Sequence, residues 1–180
     1  MLKKFALATA VALAAGTPVF SSSATFDDSF EVAMSDAVTA KAVKVLTEGN
    51  GACRSLPSVY QVDCYRQSFR RAGAEISRYP DYKDARKALK LVERTLNSAL
   101  KEYGDKSAAP LRSGGRTYKA IKPEGVAPSA QAFKRARADA VTILLRSKGP
   151  IKVHYERIAS VVGSSKLIIR SSLEALKRLI

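Results

Sequence analysis

Two series of apolar residues dominate the chain. Val62, Tyr65, Phe69, Ala72, Ile76 and Tyr79 recur at intervals of 3, 4, 3, 4 and 3. Tyr82, Ala85, Leu89, Val92, Leu96, Ala99 and Tyr103 follow at 3, 4, 3, 4, 3 and 4. Alternating threes and fours place side chains on one face of an α-helix, the pattern of helices that pack at a shallow angle in a bundle. Pro57 suits the opening of the first helix, where a missing N–H costs nothing, and Gly104 suits the end of the second. The tight break Tyr79-Pro80-Asp81 between them predicts antiparallel neighbours.

Three further helices are predicted with less regular faces. Asp28-Ser29-Phe30-Glu31 has the form of a capping box, followed by Phe30, Met34, Val38, Ala42 and Val45/Leu46 at helical spacing. Gly49-Asn50-Gly51 reads as the stop, which leaves Cys53 in a connection. Ser129 is the expected cap of a helix through Phe133, Ala136, Ala140 and Leu144, ending at Lys148-Gly149-Pro150. The last series is Ile151, Tyr155, Ile158, Val162, Ser165, Ile169, Leu173, Leu176 and Ile180. It predicts one helix bent at Gly163, about 45 Å long at 1.5 Å per residue. Between Asp105 and Pro128 periodicity vanishes in a polar, basic stretch with only a weak hairpin signal at Arg116–Ile121. A loop of that length in a compact domain is functional or disordered. The expected fold class is all-α, a four- to five-helix, mostly antiparallel bundle with a long basic loop at 105–128.

The first 24 residues stand outside that pattern. Met1-Leu2-Lys3-Lys4 is positively charged, Phe5–Ala15 is uncharged and apolar, and Ser22-Ser23-Ala24 offers small residues before Thr25. This is the three-part plan of a secretory signal peptide, with cleavage expected near Ala24/Thr25. The apolar run is shorter than the roughly 20 residues of a spanning helix. The first cysteine is Cys53, so no lipid-attachment cysteine sits at the cleavage site. No other segment has a long charge-free apolar run, so no transmembrane segment is expected in the mature chain. The expected address is periplasmic or secreted.

Charge sharpens the picture. Cleavage after Ala24 would leave 156 of 180 residues, enough for one domain (25–180) with a real core. Loss of Lys3 and Lys4 would lower the formal charge from +15 to +13. Residues 25–63 carry six acids against three bases, so all the excess lies beyond Asp63. So basic a domain attracts polyanions. Behind a signal peptide these are an anionic envelope component (lipid headgroup, lipopolysaccharide or other polyanion) or an acidic protein, rather than nucleic acid. Two cysteines in an exported chain predict a Cys53–Cys64 disulfide. Metal would need more ligands, and a redox pair would ordinarily read C-x-x-C.

Candidate chemistry is sparse. His154 is the sole histidine, and Tyr155 and Glu156 point to other faces of its helix. The chain contains no G-x-S-x-G elbow, no H-E-x-x-H and no P-loop. No catalytic, metal or cofactor residues are therefore nominated, and the chain is read as non-enzymatic. The informative feature is a basic row, Lys83, Lys87, Lys90, Arg94 and Lys101, opposite the Tyr82–Tyr103 seam. Arg66, Arg70, Arg71 and Arg78 lie beside the preceding seam, and Arg116 and Lys119 flank Tyr118 in the basic loop. Arginine forks and lysine point charges suit phosphate or carboxylate. A row interrupted by Asp84, Glu93 and Glu102 equally fits a solvated helix face. Tyr118, an aromatic among cations, is a candidate stacking residue. A second class of function is an interaction protein that holds a partner helix on an apolar seam.

Overall fold

The computed structural model describes the backbone of residues 26–167 and the side chains of residues 35–167. Five helices form a closed bundle: α1 (Phe26–Ser55), α2 (Ser58–Glu75), α3 (Lys83–Tyr103), α4 (Val126–Leu145) and α5 (Lys152–Ser164). Each helix packs on the next, and α5 returns to α1. A two-stranded hairpin, β1 (Leu111–Ser113) and β2 (Arg116–Tyr118), interrupts the ring between α3 and α4. No helix among the described residues is long and apolar enough to cross a membrane.

The predicted seams are the core. On α3, Ala85, Leu89, Val92, Leu96 and Ala99 are buried, while Lys83, Lys87, Lys90, Arg94 and Lys101 face outward. On α2, Val62, Tyr65, Phe69 and Ala72 are buried, as is Ile76 just past its end. Phe133 of α4 enters between Tyr65 and Phe69, with ring centroids 5.0 and 5.9 Å away. Three fully buried tyrosines have partners for their hydroxyls, as an apolar interior favours. The Tyr82 hydroxyl donates to the Ser35 carbonyl at 2.7 Å and lies 2.6 Å from Thr39 Oγ1. Tyr155 donates to the Asp81 carbonyl and Tyr65 to that of Lys166. Each of these bonds joins elements far apart in the chain.

Four boundaries differ from the sequence-based expectations. The first helix already includes Phe26, ahead of the anticipated cap at Asp28, and runs through Gly49-Asn50-Gly51 to Ser55. Tertiary packing overrides the stop there. A Cβ on Gly49 would lie 1.9 Å from Ser68 Oγ, so the glycine is where α1 and α2 touch. Cys53 consequently sits in the last turn of α1 and is bonded to Cys64 of α2, with Cα atoms 5.5 Å apart. The fourth helix begins at Val126 after a 3₁₀ turn over Pro123–Gly125. Ser129 is thus a buried residue inside that helix, not its cap.

The last helix ends at Ser164, and Ser165 is extended with ψ 131°. Its final carbonyls are taken by side chains from neighbouring helices. Arg54 donates to Ser164 O, Arg137 to Gly163 O and Asn50 to Val161 O. Ser165 Oγ in turn donates to Asn50 Oδ1 at 2.6 Å. Capping carbonyls in this way replaces the bonds that a longer helix would make. Ile169, Leu173, Leu176 and Ile180 lie outside the described residues, as do the leader and its cleavage site.

Candidate functional site

The basic stretch 105–128 is folded back onto the ends of α2 and α3. Gly114 and Gly115 have φ of 56° and 70°, the two left-handed residues of a tight hairpin turn whose twist matches its strands. The Lys119 amide donates to Asp63 Oδ2 at 2.8 Å, and Gln67 Nε2 donates to Thr117 O at 2.9 Å. Beyond the hairpin, Ile121 N donates to Val59 O and Lys122 N to Tyr103 O. The Tyr60 hydroxyl donates to Ala109 O at 2.9 Å. Helix and loop are stitched by backbone groups that would otherwise be orphaned.

Asp63 is the centre of this seam. Its carboxylate is buried and also accepts from Arg66 Nε at 2.8 Å and from Gln67 Nε2 at 3.1 Å. The Arg66 guanidinium closes an ion pair at 2.7 Å. A buried carboxylate with four donors from three residues is well compensated, which is the condition for keeping a charge inside.

A groove of about 620 Å³ opens beside this seam, between α2, the end of α3 and the segment leading into and out of the hairpin. Arg66, Lys101, Lys106 and Lys119 line it, with Asp105 as the acid among its walls. Leu100, Ala108, Pro110 and Ala120 supply apolar surface. Asp105 is internally occupied: its Oδ1 accepts from the hydroxyl and amide of Ser107 and from the amide of Ala108. The Ser107 hydroxyl bond leads in holding this carboxyl below the usual range. Asp63 offsets Arg66, so the groove's free charge comes from three lysines against Asp105.

The sequence candidates fall into three groups. Arg66, Lys101 and Lys119 meet in this groove, joined by Lys106, which was not singled out although it lies in the basic stretch. Arg71 and Arg116 meet in a separate, smaller pocket. Arg70, Lys83, Lys87, Lys90 and Arg94 are exposed on helix faces and line neither cavity. Asp63 was also overlooked as a site residue. Its signal was the placement of Arg66 and Gln67 three and four residues later, on the same helical face.

Tyr118 is not a stacking residue. It is 4% exposed and belongs to the core: it shares a face of β2 with Arg116, but only the arginine, next to the hairpin turn, stays exposed. Burial, the leading cause, raises its hydroxyl pKa. His154 is also buried, and the fold does bring it a carboxylate, with Asp36 Oδ1 3.7 Å from its Nδ1. That carboxylate is paired with Arg157 at 2.6 Å, so the trio ties α5 to α1.

No family of known proteins, no curated protein and no solved structure matches the chain.

Proposed function

We propose that this chain is an exported, non-enzymatic binding protein that holds an anionic component of the cell envelope, a lipid headgroup, lipopolysaccharide or comparable polyanion. The observation that carries the reading is the convergence of Lys101, Lys106 and Lys119 on one groove whose carboxylate, Asp105, is already occupied by Ser107. Cations brought together from a helix end and a folded loop form a local field, whereas a row along a helix is dispersed. The apolar floor suits a ligand with carbon as well as charge. Burial of the α3 seam within the bundle favours this charge-based reading over one in which the seam holds a partner helix. The Cys53–Cys64 disulfide suits an oxidising compartment and supports export. N-terminal sequencing of exported protein is expected to start at or near Thr25.

Co-sedimentation with lipopolysaccharide and with anionic vesicles, at low and high salt, tests the binding. Wild-type protein is expected to pellet at low salt and to be released as the Debye length falls from about 10 Å at 0.1 M to about 3 Å at 1 M. Lys101→Glu/Lys106→Glu/Lys119→Glu is expected to abolish pelleting, and Lys83→Glu/Lys87→Glu/Lys90→Glu to retain most of it. Wild-type binding by the first variant, or salt-independent binding, overturns the proposal.

A further inference from the structure

On the other side of the hairpin lies a pocket of about 210 Å³, enclosed by the last turns of α1, one face of α2 and the hairpin tip. It exists because small residues meet there, with Gly49 and Ala52 facing Ser68. Two arginines from different elements line it, Arg71 from α2 and Arg116 from β2. Neither side chain makes a hydrogen bond or an ion pair among the described residues, and Arg71 Nε is buried without a partner. The contrast with Arg66, also on α2, is sharp, since Asp63 neutralises that residue. A buried, unpaired donor on a cation is costly, and natural structures keep few of them without a role. Glu48 stands at the rim, 3.9 Å from Lys44 with most of its side chain in solvent.

We propose that this pocket binds the phosphate group of a phosphomonoester, free or at the head of a lipid. A phosphomonoester is close to a dianion at neutral pH and matches two guanidiniums in charge. Its tetrahedral oxygens accept from two separately anchored forks at once, where a planar carboxylate is satisfied along one edge by a single arginine. Arg71 contributes to the pocket from α2 and Arg116 closes from the hairpin. Glu48 sits where its charge opposes the anion and sets a limit on affinity. The pocket shares no lining residue with the groove, and neither reading depends on the other.

Titration of the full exported chain with inorganic phosphate, at constant ionic strength against chloride and followed by amide NMR, reads the site directly. Saturable shifts are expected at Gly49, Ser68 and Gly114–Arg116. Arg116→Gln is expected to weaken phosphate at least tenfold. This exposed arginine can be changed without touching the core, so the result does not hinge on whether Arg71→Gln folds. Glu48→Gln is expected to tighten binding several-fold, and Lys101→Glu/Lys119→Glu to leave it unchanged. Absence of saturable shifts, or wild-type affinity in Arg116→Gln, overturns the proposal. In the Lys101→Glu/Lys106→Glu/Lys119→Glu background, which removes capture by the groove, vesicles of phosphatidic acid and of phosphatidylglycerol, matched in charge, separate the sources. Preferential capture by phosphatidic acid that inorganic phosphate competes away assigns a lipid headgroup. Phosphate binding without vesicle capture assigns a free monoester. Equal capture by both lipids, undiminished by phosphate, counts against the site.

Discussion

The Lys119 amide donates to the buried Asp63 carboxylate across 56 positions of sequence, at 2.8 Å. This bond fastens the hairpin to α2 and sets the wall between the lysine-lined groove and the arginine-lined pocket. Asp63→Ala should strand Arg66 and release the loop. Removing one partner of a fully buried pair costs about 3–5 kcal/mol. Arg66 keeps some contact with water, so a loss of about 2–4 kcal/mol is expected in denaturant unfolding. Amide exchange should quicken first across 111–121 and leave α3 protected. Uniform loss of protection through the bundle would show that Asp63 serves the core rather than the hairpin.

Gly49 makes a second long-range demand. Its hydrogen side faces Ser68, with a built Cβ 1.9 Å from Oγ and 2.7 Å from the serine Cβ. Helix propensity alone favours alanine over glycine by about 1 kcal/mol. Overpacking opposes that gain by about 1–3 kcal/mol, and contact at 2.7 Å with a Cβ leaves no rotamer to escape into. Gly49→Ala is therefore expected to destabilise. Combined with Ser68→Ala it should recover part of the loss, since the 1.9 Å clash is removed and the 2.7 Å one stays. A stabilised Gly49→Ala would mean that α1 and α2 are not in such close contact.

The seams of α2 and α3 were legible because their periodicity is local and their partners lie on adjacent helices. Lys87 and Leu89 fall on opposite sides of α3 by spacing alone. Errors arose where distant contacts overrule local signals. Gly49-Asn50-Gly51 looks like a stop, yet Gly49 is needed against Ser68 and Asn50 is needed to bond Ser165. Ser165 itself keeps the spacing of a longer helix, but its hydroxyl and backbone are spent on a cap. The groove was half visible: Arg66, Lys101 and Lys119 were nominated for charge, without any sign that they converge. Convergence depends on where the loop docks, which buried Asp63 fixes together with Tyr60, Gln67 and the backbone of Val59 and Tyr103.

The Cys53–Cys64 bond joins the last turn of α1 to α2 with 11 residues of separation. In the chain-entropy model a closed loop of this size stabilises by about 3 kcal/mol, chiefly by restricting the unfolded chain. Cys53→Ser/Cys64→Ser is expected to lower the thermal midpoint while leaving the far-ultraviolet spectrum unchanged. Loss of helical signal at low temperature would show instead that the bond shapes the α1–α2 junction.

Alkaline titration reads the core from another side. Tyr65, Tyr82 and Tyr155 have raised pKa values, in each case chiefly because burial disfavours the phenolate. In the unfolded chain all three would ionise near 10.0. Folded-state values above the unfolded ones mean that the native state holds more protons once pH exceeds about 10. Their contribution to stability is thus complete below that pH and is lost as pH rises through the folded values. Stability should stay flat with respect to these groups up to about pH 9 and fall steadily above pH 10. Phenolate absorbance near 295 nm should show exposed tyrosines ionising first and a second class ionising only as helical signal disappears. Tyr82→Phe removes one titrating group and also its link to Ser35 and Thr39. It is expected to be less stable at neutral pH yet to lose stability less steeply in alkali. A single smooth titration of all tyrosines with the helices intact would contradict the burial of these three rings.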